Sequence, residues 1–287
     1  MTLVSPVYIG EGIAARTQPG AGEKVLWIHG YTMDSSTWTE LWQLLPSWYH
    51  LGVDIPGHGA SRPLEPGEDL PTLADSLAEL ALAHDVRHVI ALSFGTILAL
   101  QMAIQRPSAF ASLILGAPAL AGGPQDRDIG ARYEELTHLY FRRGHGPHLR
   151  ALWMRSPPNI FKGAEAQPLL WKRLSEVIDK HTWPELGDGR MHALTSRAQT
   201  EGDLQKIQSA TLILLGENEL PVFKYCAERI SQELRVCKQV SIAQVGHLCL
   251  LEAPHVTHRL INTHLHAHRL DRSLCKRDRV NEQRSSL

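Results

Sequence analysis

Short apolar runs alternate with segments of helical periodicity over most of the chain. The runs place branched and apolar side chains at consecutive positions, which is typical of parallel strands buried on both faces. Between them, apolar residues recur at helical spacing, as in residues 71–84 and 94–105. This alternation predicts an α/β fold with a mostly parallel, doubly wound sheet. The predicted buried strands are residues 24–28, 51–53, 88–92, 110–115, 210–215 and 238–242.

The ends of the pattern differ from its middle. Residues 7–17 contain two short strand-like runs around Gly-Glu-Gly, which predicts an antiparallel entry hairpin. Amphipathic spacing predicts further helices at residues 35–46 and 222–234, and a closing helix at 252–270.

Strand-like runs disappear between residues 122 and 205, where amphipathic helical segments follow one another. Gly-Gly-Pro and Ser-Pro-Pro motifs punctuate these segments. The change of pattern predicts a helical cap inserted into the sheet, lying over the carboxyl ends of its strands. The predicted division is an α/β core of residues 1–121 and 206–270, a cap of 122–205, and a polar tail of 271–287 that we expect to be partly disordered.

A single residue, Ser93, separates the predicted strand at 88–92 from the helix at 94–105. A turn this sharp strains the serine and lifts its side chain clear of the strand, and the small neighbours Ala91 and Gly95 leave room for it. The first helical N–H groups face the same space and favour negative charge there. This position suits a nucleophile, but the same serine is also consistent with an ordinary helix N-cap.

Two further polar residues, Glu219 and His247, follow the last two predicted strands. A serine hydroxyl becomes a good nucleophile only with a base in reach and a carboxylate to orient that base. Because the carboxyl ends of parallel strands meet at one edge, Ser93, Glu219 and His247 are predicted to form a catalytic triad. Glu217, in the same turn as Glu219, is the alternative acid.

Composition narrows the function classes. The chain is 43% hydrophobic and 21% charged, with a formal net charge of -1, which describes a globular protein without the basic excess of nucleic-acid or membrane-surface binders. The first twenty residues hold no apolar stretch long enough for a signal peptide, and no transmembrane run occurs, so we expect a cytoplasmic protein. The cysteines lack metal or redox spacing, and His264 and His268 have no acidic or Cys partner nearby. We therefore expect neither a metal nor another cofactor.

Taken together, the motifs resemble those of the α/β-hydrolase superfamily with a helical cap, in the group of carboxylester hydrolases and carbon–carbon-bond hydrolases. The resemblance covers about residues 5–270. Two positions depart from the family pattern: Ala91 stands where a glycine is usual, and Glu219 stands where aspartate is more frequent. The matching motifs are His29-Gly30-Tyr31, Asp54-Ile55-Pro56-Gly57-His58-Gly59-Ala60-Ser61, Ala91-Leu92-Ser93-Phe94-Gly95, Gly216-Glu217-Asn218-Glu219 and Gly246-His247.

The resemblance implies a role for each matching residue. Ser93 corresponds to the nucleophile, His247 to the general base and Glu219 to the acid. The backbone N–H groups of Tyr31 and Phe94 correspond to the oxyanion hole, whose donors each contribute about 3 to 4 kcal/mol to stabilising the transition state.

Aromatic and apolar side chains are frequent in the predicted cap, and most of them are expected to pack its own core. Some must line the gap above the sheet, which predicts a small, partly apolar substrate. Our candidates for substrate binding are Trp153, Met154 and Tyr140. Four basic residues form either a solvated face or a docking surface for an acidic acyl-carrier protein. They are Arg142, Arg143, Arg150 and Arg155.

Three function hypotheses remain open at this point. A serine nucleophile favours hydrolysis of an ester or thioester through an acyl-enzyme, whereas aspartate at position 93 would have indicated haloalkane or epoxide chemistry. The same triad also suits carbon–carbon hydrolases, lyases, cyclases and acyltransferases, which the loop sequences do not separate from esterases. A ligand receptor on a hydrolase scaffold is the third hypothesis, and the intact triad counts against it.

Overall fold

The computed structural model describes residues 5–269, apart from the side chains of 191–193. The predicted tail at 271–287 lies outside this range. The strands found within the range are β1 (Val7–Gly10), β2 (Ile13–Gln18), β3 (Lys24–Ile28), β4 (Tyr49–Val53), β5 (Val86–Leu92), β6 (Ser112–Gly116), β7 (Ala210–Gly216) and β8 (Cys237–Ile242).

These strands form one sheet in the order β1-β2-β4-β3-β5-β6-β7-β8. The pairs β1–β2 and β2–β4 are antiparallel, and every pair from β4–β3 to β7–β8 is parallel. The mostly parallel sheet and the entry hairpin predicted from the sequence are therefore confirmed.

Helices connect the strands. Those in the first part of the described chain are α1 (Thr39–Gln43), α2 (Leu70–Ala83), α3 (Phe94–Gln105), α4 (Arg127–Arg143), α5 (Pro147–Trp153), α6 (Lys162–Glu165) and α7 (Pro168–Ile178). The later ones are α8 (Pro184–Asp188), α9 (Arg190–Ser196), α10 (Glu201–Leu204), α11 (Pro221–Glu233), α12 (Cys249–Glu252) and α13 (Pro254–Ala267), and the short 3₁₀ helices are Ser35–Trp38 and Asn159–Phe161.

The core lies on both faces of the sheet because side chains alternate along each strand. In β3, Leu26 belongs to the apolar cluster that includes α2 and α3, whereas Trp27 belongs to the cluster that includes α1 and α13. Both residues are fully buried. A sheet covered on two faces explains why its strands read as continuous apolar runs.

Two predicted helices differ from those observed. The helix predicted at 35–46 is divided into the 3₁₀ turn Ser35–Trp38 and α1, since the Ser35 N–H is held by Asp54 Oδ1 at 2.7 Å, which fixes the first turn against β4. The closing helix begins earlier than predicted, at Cys249, and breaks at Ala253. The break follows from Pro254, which has no N–H and clashes with a helical predecessor.

Helices α4 to α10 lie between β6 and β7 and correspond to the predicted insertion. The last of them, α10, packs against α3 and α11 of the sheet layers. No helix within residues 5–269 is long and apolar enough to cross a bilayer. The same residues contain no group of three His, Cys, Asp or Glu placed to hold a metal ion.

A buried histidine, His50 on β4, is fixed in its neutral form. Its Nδ1 accepts a hydrogen bond from Trp27 Nε1 at 3.0 Å, so the proton must sit on Nε2, which donates to the Leu45 carbonyl at 2.9 Å. A second proton on Nδ1 would break the contact with the indole. Burial lowers the pKa of His50 to about 4, although the bond to Leu45 acts in the opposite direction.

Acidification is therefore expected to destabilise the fold through His50. The unfolded chain binds a proton near the ordinary histidine pKa of 6.5, whereas the folded chain does so only at about 4. This contribution is complete above pH 6.5 and is lost as the pH falls toward 4, by about 3 kcal/mol in all. Urea unfolding at pH 7.5 and at pH 4.5 measures the loss.

His50→Asn provides the comparison, because its Oδ1 replaces Nδ1 as the acceptor for Trp27 and does not titrate. The variant should be less stable at pH 7.5 but should lose less stability on acidification than the wild type. The exposed His145, changed to Gln, serves as the control. Equal acid sensitivity of His50→Asn and the wild type would contradict the assignment.

Candidate active site

Ser93 occupies the turn between β5 and α3 in a strained backbone conformation, with φ 51° and ψ -121°. Non-glycine residues adopt such angles only where the surrounding structure enforces them. Here the helix starts against the end of β3: a Cβ on Gly95 would lie 2.4 Å from the His29 carbonyl oxygen. Ala91 is fully buried, so its methyl group is accommodated where a glycine is usual. The predicted elbow is thus built by the close packing of two neighbouring strands' ends.

Glu219 and His247 lie on loops that follow β7 and β8. The two loops touch, because a Cβ on Gly216 would lie 2.2 Å from the Gly246 carbonyl oxygen. Glu219 Oε1 accepts hydrogen bonds from Leu220 N at 2.8 Å and from His247 Nδ1 at 2.9 Å. Phe223 packs on the imidazole with ring centroids 4.1 Å apart. Both polar side chains are therefore buried and held in one orientation.

The three side chains form a continuous hydrogen-bonded line. With Nδ1 of His247 donating to Glu219, Nε2 carries the lone pair, and it lies 2.8 Å from Ser93 Oγ. The serine hydroxyl can donate its proton directly to this nitrogen. The structure thus brings together the nucleophile, base and acid candidates of the sequence.

The alternative acid, Glu217, lies elsewhere. Its Oε2 accepts from the backbone N–H of Gln244 at 2.9 Å, and the side chain is exposed. Glu217 therefore binds the outer part of the loop that carries His247, whereas the carboxylate that bonds to the imidazole is that of Glu219.

The turn after β3 faces Ser93 across the sheet edge. Gly30 and Tyr31 line the same cavity as Ser93 and Phe94. Phe94 opens α3, so its N–H has no acceptor within the helix. His29 braces the turn, since its Nδ1 donates to the Gly30 carbonyl at 2.8 Å and its Nε2 accepts from Ile55 N at 3.0 Å. The two residues predicted to supply the oxyanion hole, Tyr31 and Phe94, thus line the same cavity as the nucleophile.

Side chains from the inserted helices hold the same turn. Trp153 Nε1 donates to Thr32 Oγ1 at 2.9 Å, and Thr32 Oγ1 donates to the Tyr31 carbonyl at 2.6 Å. The Tyr31 hydroxyl donates to Glu185 Oε1 at 2.5 Å. Burial raises the pKa of Tyr31, and the negative charge of Glu185 raises it further. The turn is therefore fixed from the core and from the insertion.

Comparison with known proteins agrees with this architecture. Residues 25–260 match the model of the alpha/beta hydrolase family. The chain belongs to the alpha/beta hydrolase family.

Individual relatives of this alpha/beta hydrolase fall into more than one activity class. A Bacillus subtilis protein named as a 2-succinyl-6-hydroxy-2,4-cyclohexadiene-1-carboxylate synthase is 25% identical over 90% of this chain and 97% of its own length. A pimeloyl-[acyl-carrier protein] methyl ester esterase of Nitrosomonas europaea is 24% identical over 82% of this chain and 92% of its own. Several other relatives match only locally, and the chain spans between a quarter and a half of their length.

Among solved structures, a thermophilic esterase from Thermogutta terrifontis superimposes with a TM-score of 0.74. The match covers 90% of this chain and 95% of that one, at 22% identity. At this identity the likeness shows the fold alone.

A cavity of about 460 Å³ lies in front of Ser93 and His247 in this alpha/beta hydrolase. Its walls are mainly apolar and come from both the sheet layers and the inserted helices. Two acids, Asp126 and Glu134, also border it, and no Lys or Arg is found among the wall residues that the structure describes. Apolar wall residues include Ile97, Ile129, Trp153, Phe161, Val222 and Phe223.

Of the three substrate-binding candidates, Trp153 lies in the cavity wall and the other two do not. Met154 is the residue after Trp153, and a step of one residue along a helix turns its side chain in another direction. The Met154 sulfur lies 3.6 Å from the Ser175 hydroxyl oxygen. Tyr140 lies against Gly187 where α4 meets α8. Met154 is buried and Tyr140 is half-buried, and both contact other inserted helices instead of the cavity.

The four arginines are not one free cluster. Arg142 and Arg143 are exposed at the end of α4. Arg150 pairs with Asp179 at 3.2 Å, and Arg155 lies 4.0 Å from Glu135. Of the four, Arg142 and Arg143 have no ion-pair partner among residues 5–269.

Sequence reasoning missed Glu185 and Glu252, which hold the two loops that flank Ser93. Glu185 contacts Tyr31 across more than a hundred residues of chain, and no local pattern indicates such a pair. Glu252 could have been found from the sequence, because it is an acidic residue placed directly after the apolar run 248–251. An acid in a buried run normally has a specific partner.

Proposed function

We propose that this chain is a serine hydrolase that cleaves an ester or thioester of a small, largely apolar substrate through an acyl-enzyme on Ser93. The observation that carries this proposal is the line from Ser93 Oγ to His247 Nε2, 2.8 Å, and from His247 Nδ1 to Glu219 Oε1, 2.9 Å. A hydroxyl, base and carboxylate in this order are what acyl transfer requires. The full-length similarity to an esterase supports the same reaction class.

In this mechanism, Ser93 Oγ attacks the carbonyl carbon while His247 Nε2 takes the hydroxyl proton. Glu219 holds the imidazole and stabilises its cationic form. The N–H groups of Tyr31 and Phe94 receive the oxyanion, and each such donor contributes about 3 kcal/mol. His247 then returns the proton to the departing alcohol or thiol. Water, activated by the same base, hydrolyses the acyl-enzyme.

The cavity walls support a neutral acyl chain as the preferred substrate portion. Apolar walls stabilise alkyl and aryl groups, whereas a carboxylate placed among them loses several kcal/mol of hydration without a cation to compensate. Asp126 and Glu134 add repulsion for an anion.

The test compares two esters of equal chain length, p-nitrophenyl hexanoate and the p-nitrophenyl monoester of adipic acid. We expect turnover of the hexanoate with an initial burst of p-nitrophenolate, the sign of an accumulating acyl-enzyme. For the adipate, kcat/KM should be at least about 30-fold lower, because its terminal carboxylate must enter the apolar cavity. Stopped-flow absorbance measures both.

The variant Asp126→Asn/Glu134→Gln is the matched control for charge. Asparagine still caps α4 in place of Asp126, whose carboxylate accepts from Asp128 N and Ile129 N. In this variant the difference in kcat/KM between the hexanoate and the adipate ester should be smaller than in the wild type. Absence of any neutral-ester hydrolysis would refute the proposal, and equal rates for both esters would refute the substrate class.

Carbon–carbon cleavage or a lyase reaction on the same triad is the second candidate, supported by the full-length similarity to the Bacillus subtilis synthase. In a lyase reaction the triad moves protons and Ser93 forms no acyl-enzyme, whereas in hydrolytic carbon–carbon cleavage a carbanion takes the place of the alcohol as leaving group. The name of that relative's product includes succinyl and carboxylate groups. Such negatively charged groups fit poorly in this cavity, because its described wall residues include Asp126 and Glu134 but no Lys or Arg. Turnover of a diketo substrate together with inertness toward esters would favour this candidate.

An acyl-carrier-protein-linked ester remains a proposed substrate. The Nitrosomonas europaea relative carries such a substrate in its name. Arg142 and Arg143, exposed at the end of α4, offer positive charge to an acidic carrier.

A further inference from the structure

Glu252 is a buried carboxylate that accepts hydrogen bonds from the backbone on both sides of His247. Its Oε2 accepts from the backbone N–H of Gly246 at 2.6 Å, and its Oε1 accepts from the backbone N–H of Leu248 at 3.0 Å. We propose that Glu252 is a positioning residue, which holds the His247 loop so that the imidazole stays in line between Ser93 and Glu219. The inference rests on the proposed function of these three residues.

Geometry explains why a carboxylate is needed here. Two N–H groups point at one side chain from two different residues, and only an ionised Glu or Asp offers two acceptor oxygens without a donor. Glu252 reaches back from the end of α12, where its own N–H donates to the Leu248 carbonyl at 2.9 Å. The side chain and the backbone of Glu252 are thus both hydrogen-bonded to the segment that carries His247.

The inserted helices enclose this carboxylate. A Cβ on Gly163 would lie 1.8 Å from Glu252 Oε2, so the glycine lets α6 pack directly against the carboxylate as it stands. Gln167 Nε2 donates to the Glu252 carbonyl at 3.0 Å. Glu252 is only 7% exposed, and within residues 5–269 no Lys or Arg forms an ion pair with it. Both carboxylate oxygens of Glu252 therefore accept hydrogen bonds from the His247 loop.

Opposing effects act on the pKa of Glu252. Burial raises its pKa, and the charge of Glu219 adds to the rise, whereas the N–H groups of Gly246 and Leu248 and the nearby His247 lower it. Cys249 is the other titratable neighbour, and burial raises the pKa of its thiol, with Glu219 and Glu252 contributing. The two backbone donors therefore favour the carboxylate form at a place where burial opposes it.

The experiment replaces Glu252 with Gln, which has the same shape but one acceptor oxygen. Its amide nitrogen must face one of the two N–H groups, so the loop shifts. For p-nitrophenyl hexanoate we expect kcat to fall about 10- to 100-fold while KM stays within about 2-fold, since a misplaced base affects the transition state more than ground-state binding.

A spectroscopic measurement separates positioning from general loss of stability. The His247 Nδ1 proton, which lies in the hydrogen bond to Glu219, is expected to give a downfield ¹H NMR resonance in the folded protein. We expect this resonance to shift or disappear in Glu252→Gln although the protein remains folded. Because the readout needs no turnover, it tests the positioning role even if Ser93 proves not to be a nucleophile.

Glu217→Gln is the matched control. Glu217 also accepts a backbone N–H of the same loop, that of Gln244, but through one oxygen and at the exposed surface. Its amide variant keeps that acceptor, so kcat, KM and the resonance should stay unchanged. If Glu252→Gln does not fold, Glu252→Asp keeps the charge on a shorter arm and should show the same selective loss of kcat. Wild-type kcat and an unshifted resonance in a folded Glu252 variant would overturn the proposal.

Discussion

Replacing Ser93 with alanine is expected to lower kcat for p-nitrophenyl hexanoate by about 10⁶-fold, which removes essentially all turnover by the triad. In the proposed mechanism the acyl-enzyme forms on this hydroxyl, and without it His247 Nε2 has no serine proton to accept. Residual hydrolysis should come from the oxyanion donors and from substrate binding alone. Steady-state kinetics at high enzyme concentration measures the loss.

Covalent labelling gives the control for this variant. An alkyl fluorophosphonate should add one stable adduct to the Ser93 peptide of the wild type and none to Ser93→Ala. The variant should remain folded, because alanine places no more strain than serine on a backbone with φ 51°. Retention of more than about one hundredth of wild-type kcat, or equal labelling of both proteins, would contradict Ser93 as nucleophile.

The sequence was sufficient to predict the sheet because each buried strand is a continuous apolar run between turn residues. The same property located Ser93, which alone separates β5 from α3. Glu219 and His247 follow β7 and β8, and parallel strands bring their carboxyl ends to one edge. The family and fold class predicted from these motifs are confirmed by the match over residues 25–260 and by the sheet order.

The insertion could be predicted only in outline. Helical spacing shows that Trp153, Met154 and Tyr140 have a buried side, but it does not show whether that side meets the cavity or other inserted helices. The distinction depends on how α5 crosses the turn after β3, where Trp153 bonds to Thr32. Such contacts between distant segments arise from tertiary packing and leave no local pattern in the sequence.

Contacts of this long-range kind also separate the two acids of the turn after β7, and they lead to the second large prediction. Glu219→Gln is expected to lower kcat about 10³- to 10⁴-fold with little change in KM. Glu219 Oε1 is already held by Leu220 N at 2.8 Å, so the amide oxygen of Gln can keep the bond to His247 Nδ1. The geometry is thereby preserved, but the negative charge that stabilises the imidazolium in the transition state is gone.

Glu217→Gln separates this effect from any general sensitivity of the turn. Glu217 lies two residues earlier, carries the same charge and contacts Gln244, not His247. Its amide variant should keep kcat within about 2-fold of the wild type, because a surface substitution away from the reacting groups seldom changes more. If both variants lost activity equally, the turn as a whole would matter instead of one carboxylate. If only Glu217→Gln were inactive, the acid of the triad would have to be reassigned, since the 2.9 Å contact between Glu219 and His247 would then have no catalytic consequence.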